Sequence, residues 1–319
     1  MMKPSGYGRF EPHQSVVLTH GGAGHAWAHV DGCVEAAKRG VDTLARREKA
    51  AEAALQAVRT LENDPRFNAG KGATLRIDGQ TIQVDAALMD EEDFGAVAGV
   101  RNIQNPIILA KAVYQSPHLM LVADGAERLA ESLGLPKVNL ETEENRQRFD
   151  ERRENLSDEP FWANHELSGI FQFALESGTA CDTVGAVVRD HHGRFAAAGS
   201  TGGLWCALPG RVGDTPMPGA GLYVGAAGAV AATGVGEYIW KNMMSLRAYQ
   251  EMERGASPRE SIERVLGPIK EGPEPMDIGL IAVGHSEYAA LATREMPWAI
   301  SIVDDPRPAV QDSDDINTF

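Results

Sequence analysis

Residues 179–190 read TACDTVGAVVRD, and the two sides of this stretch differ in character. After Asp182, the run TVGAVVR begins at Thr183 and predicts a buried strand, because it is short, apolar and rich in valine. Before it, residues 141–160 read ETEENRQRFDERRENLSDEP, in which charged side chains dominate. We therefore predict an exposed, mobile segment over about 141–182, or a solvated helix over part of it.

The composition predicts a globular protein that acts on a small polar molecule. The chain has 319 residues, of which 43% are apolar, and its formal net charge is −15 with lysines and arginines scattered along it. That charge argues against nucleic acid or an anionic membrane as a partner. Cys33, Cys181 and Cys206 form neither a disulfide framework nor a zinc pattern, and no run approaches the ~20 apolar residues of a membrane helix. The first residues lack a signal-peptide pattern, so we predict a cytoplasmic location.

Short β-type runs and helical repeats follow each other in blocks along the chain. The predicted elements before Thr183 are a strand at 15–19, helices within 34–58 that are exposed or broken at 46–49, a hairpin at 74–77 and 81–89, a strand at 95–100, and helices at 106–115 and 124–134. Those after it are strands at 183–189, 194–200 and 222–233, helices at about 236–253 and 258–266, and strands at 277–283, 287–293 and 298–303. This order predicts layered sheets with outer helices. The tail 304–319 is predicted to be a loose end.

Two glycine motifs suggest an α/β-hydrolase site, but the threonine at the centre of one of them argues against it. HGGAG (20–24) resembles an oxyanion loop, and GSTGG (199–203) resembles a nucleophile elbow with Thr201 at its centre. An elbow holds its nucleophile in a strained backbone conformation that is costly for a β-branched residue. The sequence also contains no phosphate-binding loop, dinucleotide fingerprint or zinc-binding histidine spacing.

The loops after Thr183 carry the densest group of special residues. Residues 200–221 read STGGLWCALPGRVGDTPMPGAG, and ATGVGE (232–237) adds another threonine-glycine pair. A set of tight turns is one interpretation of such loops. However, Arg211 and Asp214 stand three residues apart among the glycines. A cation and an anion on a rigid loop could bind the carboxylate and the ammonium of a free amino-acid end.

The order of these motifs resembles one enzyme family. DTVGAVV, AAGSTGG, PGRVGDTPMPGAGLY and AATGVGE are similar to the β-subunit core of the plant-type asparaginases and isoaspartyl peptidases, which are relatives of glycosylasparaginase among the N-terminal nucleophile hydrolases. THGGAG, LENDPRFNAGKGA, DAALMD and GAVAGVRNIQNPIILAKAV are similar to the α-subunit. The resemblance covers most of residues 15–240. It implies an α+β fold, a four-layer αββα sandwich.

The resemblance also implies an autoproteolytic precursor that breaks between Asp182 and Thr183. The products would be an α-subunit of 1–182 and a β-subunit of 183–319, which together form one αββα domain. A threonine at a new N-terminus carries a base in its own α-amino group, whose reference pKa is ~7.7 to 8. The implied enzyme cleaves β-aspartyl dipeptides and L-asparagine through a β-aspartyl-enzyme intermediate, and it needs no cofactor for catalysis.

Further site residues are implied where the motifs match. Thr201 would hydrogen-bond and tune Thr183, while Thr233 and the backbone of Gly234 would stabilise the oxyanion. Arg211 and Asp214 would anchor the aspartyl end of the substrate. The implied substrate-binding residues are Arg211, Asp214, Gly234, Gly236 and Asn68.

The resemblance implies an ion and an assembly as well. A structural sodium ion would be held by main-chain carbonyls, which suit a hard cation. The molecule would be a homodimer of αβ protomers. The implied carbonyl donors are those of Leu61, Glu62, Asp64, Phe67, Ala69 and Lys71.

Two positions depart from the family pattern and leave alternatives open. Asp182 precedes the nucleophile, as in glycosylasparaginases, whereas isoaspartyl peptidases usually have glycine there. Trp205, Cys206 and Ala207 replace a polar stretch with a lysine, and Trp205 is predicted to stack on a cationic leaving group. The alternatives are a glycosylasparaginase, a threonine aspartase that cuts proteins, and an aspartate-binding protein that never matures.

Overall fold

The computed structural model describes residues 6–24, 27–154, 183–205, 207–270, 276–305 and 309–310, so the predicted cut site is described only from Thr183 onward. Within these residues the strands are β1 (Gly6–Arg9), β2 (Val16–His20), β3 (Val84–Asp90), β4 (Phe94–Val100), β5 (Met120–Val122), β6 (Thr183–Arg189), β7 (Phe195–Thr201), β8 (Leu222–Gly225), β9 (Gly228–Gly234), β10 (Ile278–Val283), β11 (Glu287–Ala292), β12 (Trp298–Ile302) and β13 (Ala309–Val310). The helices are α1 (Val30–Ala45), α2 (Ala50–Asn63), α3 (Pro106–Tyr114), α4 (Ala123–Ser132), α5 (Glu143–Glu154), α6 (Gly236–Asn242), α7 (Met244–Glu253) and α8 (Pro258–Lys270).

The strands form two sheets that pack face to face. The larger sheet has the order β13-β12-β2-β6-β7-β3-β4-β5, and the smaller has the order β1-β11-β10-β9-β8. All of their pairings are antiparallel except that of β4 with β5. In the larger sheet, β6 therefore lies between β2, which precedes it by a long stretch of chain, and β7, which follows it directly.

Alternate residues of each strand divide the core into three layers of side chains. On β6, Val184, Ala186 and Val188 pack with α1, α2 and α3, whereas Val187 packs toward the smaller sheet. On β9, Ala231 packs toward the larger sheet while the flanking residues pack with α7 and α8. Helices therefore cover both outer faces, and the predicted four-layer αββα sandwich is confirmed.

Several boundaries follow from the local sequence. The break predicted at 46–49 separates α1 from α2, with Arg47 at φ 61°. Pro106 is the first residue of α3, a position at which its missing N–H costs nothing. The next N–H of that helix, from Ile107, donates to the buried Glu62 carboxylate at 3.0 Å. Burial raises the pKa of Glu62 to about 8, although this hydrogen bond and one from Asn105 favour its charged form.

Some predicted elements differ in extent. The hairpin predicted at 74–77 and 81–89 is reduced to one bridge between Leu75 and Ile82, and β3 begins only at Val84. The predicted strand at 222–233 is a hairpin of β8 and β9, and the helix predicted at 236–253 is divided at Met243, whose φ is 47°. The strands β1, β5 and β13 were not predicted because they have only four, three and two residues.

The charged segment before the predicted cut site is partly helical. Glu143–Glu154 forms α5, which corresponds to the solvated helix that the sequence left open. Between residues 143 and 151 two side chains are buried: Phe149 packs in the core, and Asn145 Nδ2 donates to Ala73 O at 3.0 Å. Residues 155–182 lie outside the described part, so the prediction of a mobile segment is not tested there.

Candidate active site

The predicted threonines meet between the two sheets. Thr183 and Thr201 are direct partners in the β6–β7 register, and strand alternation places both side chains on the same inner face as Val187. Thr233 belongs to the smaller sheet, and the same alternation turns it inward, as it does Ala231. Three hydroxyl-bearing residues from different strands therefore converge at one end of the sandwich.

Thr183 is buried and contacts two other threonines. Its side chain and backbone are only 5% exposed. The Thr183 N–H donates to Thr233 Oγ1 at 3.2 Å, and Thr183 Oγ1 lies 3.4 Å from Thr215 Oγ1, where either hydroxyl can donate. Thr233 Oγ1 also accepts a hydrogen bond of 3.3 Å from the N–H of Ala23, in the glycine loop after β2. The glycine loop therefore helps to fix the hydroxyl that faces Thr183 N.

Thr215 is a site residue that the sequence reasoning missed. It is 1% exposed and follows Asp214 directly, so its contact with Thr183 connects the nucleophile candidate to the predicted anchor. The sequence offered one signal, because Thr215 lies in the glycine- and proline-rich loop between Arg211 and β8. A threonine with no obvious partner in the sequence was nevertheless indistinguishable from an ordinary turn residue.

Thr201 and Asn68 hold the loop that follows β7. Thr201 Oγ1 accepts a hydrogen bond of 3.0 Å from the Gly203 N–H. Asn68 Nδ2 donates to Gly203 O at 2.7 Å, and Asn68 Oδ1 accepts from Thr74 N at 3.0 Å. Asn68 thus lies beside the Thr201–Gly203 segment, as its assignment to the site requires, but both ends of its amide serve to fix backbone.

His20 is a second neighbour of Thr183 that sequence reasoning did not assign. It ends β2 and faces Gly185, where a side chain would collide with the imidazole. Burial lowers the pKa of His20 to about 3, against an opposing contribution from the Thr183 backbone. The ring is therefore neutral at all ordinary pH values, and it lies against the start of β6, the strand that Thr183 begins.

The predicted anchor residues Arg211 and Asp214 lie together around Gly236. Arg211 donates from Nε and Nη2 to the two carboxylate oxygens of Glu237, at 2.8 and 2.7 Å. A side chain at Gly236 would place its Cβ 2.8 Å from Arg211 Nη2 and 2.8 Å from Asp214 Oδ1. The lack of a side chain at Gly236 therefore keeps the region between the two charged groups open.

The protonation states of the anchor carboxylates differ. Burial raises the pKa of Asp214 to about 7, while the nearby Arg211 favours its charged form and Glu237 opposes it. Burial also disfavours ionisation of Glu237, but the Arg211 hydrogen bonds outweigh it and hold the pKa of Glu237 below its usual range. Asp214 Oδ2 accepts no hydrogen bond from the described residues, so one oxygen is available to a cationic ligand.

Gly234 ends β9, directly after Thr233. Its φ is +131°, and a side chain there would collide with the carbonyl oxygen of Asp277. Only glycine therefore allows this backbone turn, which places the Gly234 peptide next to the Thr233 hydroxyl. The arrangement is compatible with the oxyanion role implied for the two residues.

The loop predicted to hold sodium offers carbonyl oxygens rather than free carboxylates. Asp64 pairs with Arg66 at 2.6 Å, and the Glu62 carboxylate caps α3, so neither acid is free for an ion. Side chains at Gly70 and Gly72 would collide with the carbonyl oxygens of this loop, among them those of Glu62 and Phe67. Within the described residues no cluster of His, Cys, Asp and Glu could hold a metal. The donor set of the loop therefore fits a hard cation bound by backbone oxygens.

Trp205 was predicted to stack on a leaving group, but it lies in the core. The residue is only 2% exposed and packs in the core on the helical side of the larger sheet. Its ring is therefore not a surface on which a leaving group could stack, and that prediction is wrong. The reason is that the loop after Gly203 turns inward, with the Ala207 carbonyl accepting from Ile77 N at 3.0 Å.

Comparison with known proteins identifies the family. The family model described as Asparaginase matches residues 13–306, so the chain belongs to this family of N-terminal nucleophile hydrolases. A protein of Danio rerio named isoaspartyl peptidase/L-asparaginase is 37% identical over 298 residues, which cover 89% of this chain and 91% of the relative.

Two further relatives come from microorganisms. A plant-type L-asparaginase of Pyrobaculum calidifontis is 36% identical over 282 residues, covering 84% of this chain and 90% of the relative. An isoaspartyl peptidase of Escherichia coli K12 is 35% identical over 296 residues, covering 87% and 89%. None of the helices in the described part of the chain has the length and apolar character needed to cross a membrane.

Proposed function

We propose that this chain is an isoaspartyl peptidase and L-asparaginase that matures by cleavage between Asp182 and Thr183. The names of its relatives support the activity. One structural observation supports the mechanism most directly: the buried Thr183 hydroxyl lies 3.4 Å from the Thr215 hydroxyl, and Thr215 adjoins the anchor residue Asp214. A nucleophile and a binding pair for an amino-acid end would thereby share one site.

Cleavage before Thr183 converts its peptide N–H into an α-amino group. That amine has a reference pKa of ~7.7 to 8, so part of it is neutral at pH 7 and can accept the proton of the Thr183 hydroxyl. The contact between Thr183 N and Thr233 Oγ1 would keep the amine in place. The neutral His20 adds no competing charge next to it.

The substrate would enter with its aspartyl end toward the anchor pair. Arg211, which donates two hydrogen bonds to Glu237, would bind the α-carboxylate through its guanidinium. Ionised Asp214 would bind the α-ammonium through the oxygen that accepts no hydrogen bond from the described residues. Gly236 provides the space for both groups.

The reaction would proceed in two steps. Thr183 Oγ attacks the β-carbonyl carbon while its proton passes to the α-amine, and the resulting α-ammonium gives that proton to the leaving amine as the C–N bond breaks. A β-aspartyl ester remains on Thr183. Water then attacks this ester while one of its protons passes to the α-amine, and the α-ammonium gives that proton to Thr183 Oγ as aspartate leaves. The Thr233 hydroxyl and the Gly234 backbone would stabilise the oxyanion in each step, a role worth ~3 to 4 kcal/mol per donor.

Three further properties belong to this proposal. The carbonyl oxygens of the loop from Leu61 to Lys71 would hold a sodium ion, which would supply a fixed shape to the loop that carries Asn68. The active form would be a homodimer of αβ protomers, with 1–182 and 183–319 as the two subunits. A cytoplasmic location agrees with the sparse cysteines.

Intact mass spectrometry of the purified protein over time is the test of this function. We expect the wild type to yield two fragments that meet between Asp182 and Thr183. Thr183→Ala should stay whole, and the matched control Thr183→Ser should still be cut, because it keeps the hydroxyl. Matured protein should release aspartate from a β-aspartyl dipeptide and from L-asparagine. A wild type that stays whole and inactive, or one that prefers N-acetylglucosaminyl-asparagine, would contradict the proposal.

A further inference from the structure

A buried arginine lies behind the loop that Thr201 and Asn68 hold. Arg76 is 0% exposed, and its Nη2 donates to the Gln83 carbonyl oxygen at 3.3 Å. Its Nε and Nη1 find no hydrogen-bond partner within the described part of the chain. The guanidinium lies so close to Gly203 that a side chain at that glycine would collide with it. Burying a guanidinium without pairing all of its N–H groups costs folding free energy. A structural role alone therefore does not explain why Arg76 is buried.

A buried carboxylate complements this cation. Asp85 is 0% exposed and its Oδ1 accepts from the Gly99 N–H at 2.7 Å, while Oδ2 accepts no hydrogen bond from any described residue. A β-bulge interrupts the pairing of β3 with β4, because Ala98 and Gly99 of β4, the latter with φ +63°, together stand opposite the single residue Asp85. Bulges often redirect a side chain beside an active site.

The two charges lie close to the proposed catalytic and anchor residues. Asp85 is the register partner of Thr201 on β7, and Thr201 is in turn the partner of Thr183, so the three residues form a row on one face. Burial raises the pKa of Asp85, and the charges of Arg76 and Arg211 oppose that rise. Asp85 therefore lies within electrostatic reach of two cations, Arg76 and Arg211.

We propose that Arg76 and Asp85 are positioning residues, a buried pair of opposite charges that balances Arg211 and Asp214 so that the site accepts the aspartyl end of the substrate. The proposal rests on the proposed function and names two residues that serve it. The charge of Asp85 attracts Arg211, which also donates to Glu237. Arg76 limits the negative charge that Asp85 adds around Asp214.

The charges on the two residues have opposite effects on Asp214. The charged groups near Asp214 are Arg211, which favours its ionised form, and Glu237 and Asp85, which disfavour it. Without Arg76, an ionised Asp85 would be uncompensated, and Asp214 beside it would ionise only at higher pH. Without Asp85, the excess of positive charge would let Asp214 ionise at lower pH. Removing both residues would leave no buried unpaired charge, a change that proteins often tolerate.

The test compares Arg76→Met, Asp85→Asn and the double variant by steady-state kinetics on a β-aspartyl dipeptide. For Arg76→Met we expect KM to rise about tenfold at pH 7 with a smaller change in kcat. The acidic limb of kcat/KM should move to higher pH in Arg76→Met and to lower pH in Asp85→Asn. The double variant should return toward the wild-type profile, and Arg76→Lys, which keeps the charge, should retain it.

Arg189→Met is the matched control. Arg189 is also buried, but it lies at the far end of β6 and donates to the carbonyl oxygens of Pro12 and Gln14. The Arg189→Met variant should be less stable than the wild type, but the pH profile of its kcat/KM should be unchanged. Equal profiles in all variants, or shifts in the same direction for Arg76→Met and Asp85→Asn, would overturn the proposal. Should Arg76→Met fail to fold, Arg76→Lys and the double variant decide it. A wild type that cleaves no β-aspartyl bond overturns the proposed function instead.

Discussion

The ionisation of Asp214 should control how well the enzyme distinguishes a ligand that carries an α-ammonium from one that has a methylene group at the same position. Its pKa is about 7 because the carboxyl is buried, so about one tenth of the free enzyme carries the charge at pH 6. L-Aspartate has an α-ammonium to bind, whereas succinate is the same diacid without it. Between pH 6 and 8, where succinate is mostly the dianion, the ratio of the succinate to the aspartate inhibition constant should therefore rise about tenfold in all, and it should level off above.

Competitive inhibition of the matured enzyme measures this ratio directly. The α-amine of Thr183 also titrates near neutral pH, but it affects both inhibitors alike and cancels from the ratio. Asp214→Asn should make the ratio independent of pH, because no carboxylate remains to change charge. A ratio that stays flat between pH 5 and 8 in the wild type, or a slope that persists in Asp214→Asn, would refute the assignment of Asp214 to the ammonium.

Two further predictions concern the same anchor. Gly236→Ala should lower kcat/KM for a β-aspartyl dipeptide by roughly 100-fold while leaving the fragment masses unchanged, since the new Cβ would stand 2.8 Å from both Arg211 Nη2 and Asp214 Oδ1; wild-type kinetics would show that the substrate does not use this space. Burial raises the pKa of Asp214 above its unfolded value, so its contribution to stability is present below pH ~4 and is lost as pH rises through about 7. Asp214→Asn should accordingly raise Tm above pH 7, and the corresponding gain in the free energy of unfolding has an upper limit of about 4 kcal/mol. In thermal melts near pH 4 this gain should vanish, and an equal gain at both pH values would contradict the prediction.

The parts of the fold that depend on local pattern could be predicted from the sequence. The strand at Thr183 was predicted from its run of small and β-branched residues, and alternation along that strand suffices to place Thr183 on the inner face. The break at 46–49 and the helix at Pro106 likewise follow from short-range signals. In contrast, the sequence predicted one long helix through Met243, because nothing in its composition marks a left-handed residue there.

The parts of the candidate site that depend on distant contacts could not be predicted from the residues alone. Arg211 and Asp214 are close in sequence and were identified, but Glu237, which binds Arg211, comes from a different element. Thr215 acquires its meaning only through contact with Thr183, and Arg76 only through its position behind Gly203. Trp205 was predicted to face the substrate because the sequence does not show which way a loop turns.

The strand order of the larger sheet has a consequence for a chain that is cut before Thr183. From one edge to the other, its strands come first from the later half, then from the earlier half at β2, then from the later half at β6 and β7, and finally from the earlier half. The strand β2 of the earlier fragment is thus hydrogen-bonded on both sides to strands of the later fragment, β12 and β6. Strands of the two fragments alternate within one hydrogen-bonded sheet, so cleavage would free a new N-terminus at Thr183 without separating the fragments. Matured protein should migrate as one particle in native buffer and separate into two bands only when it is unfolded.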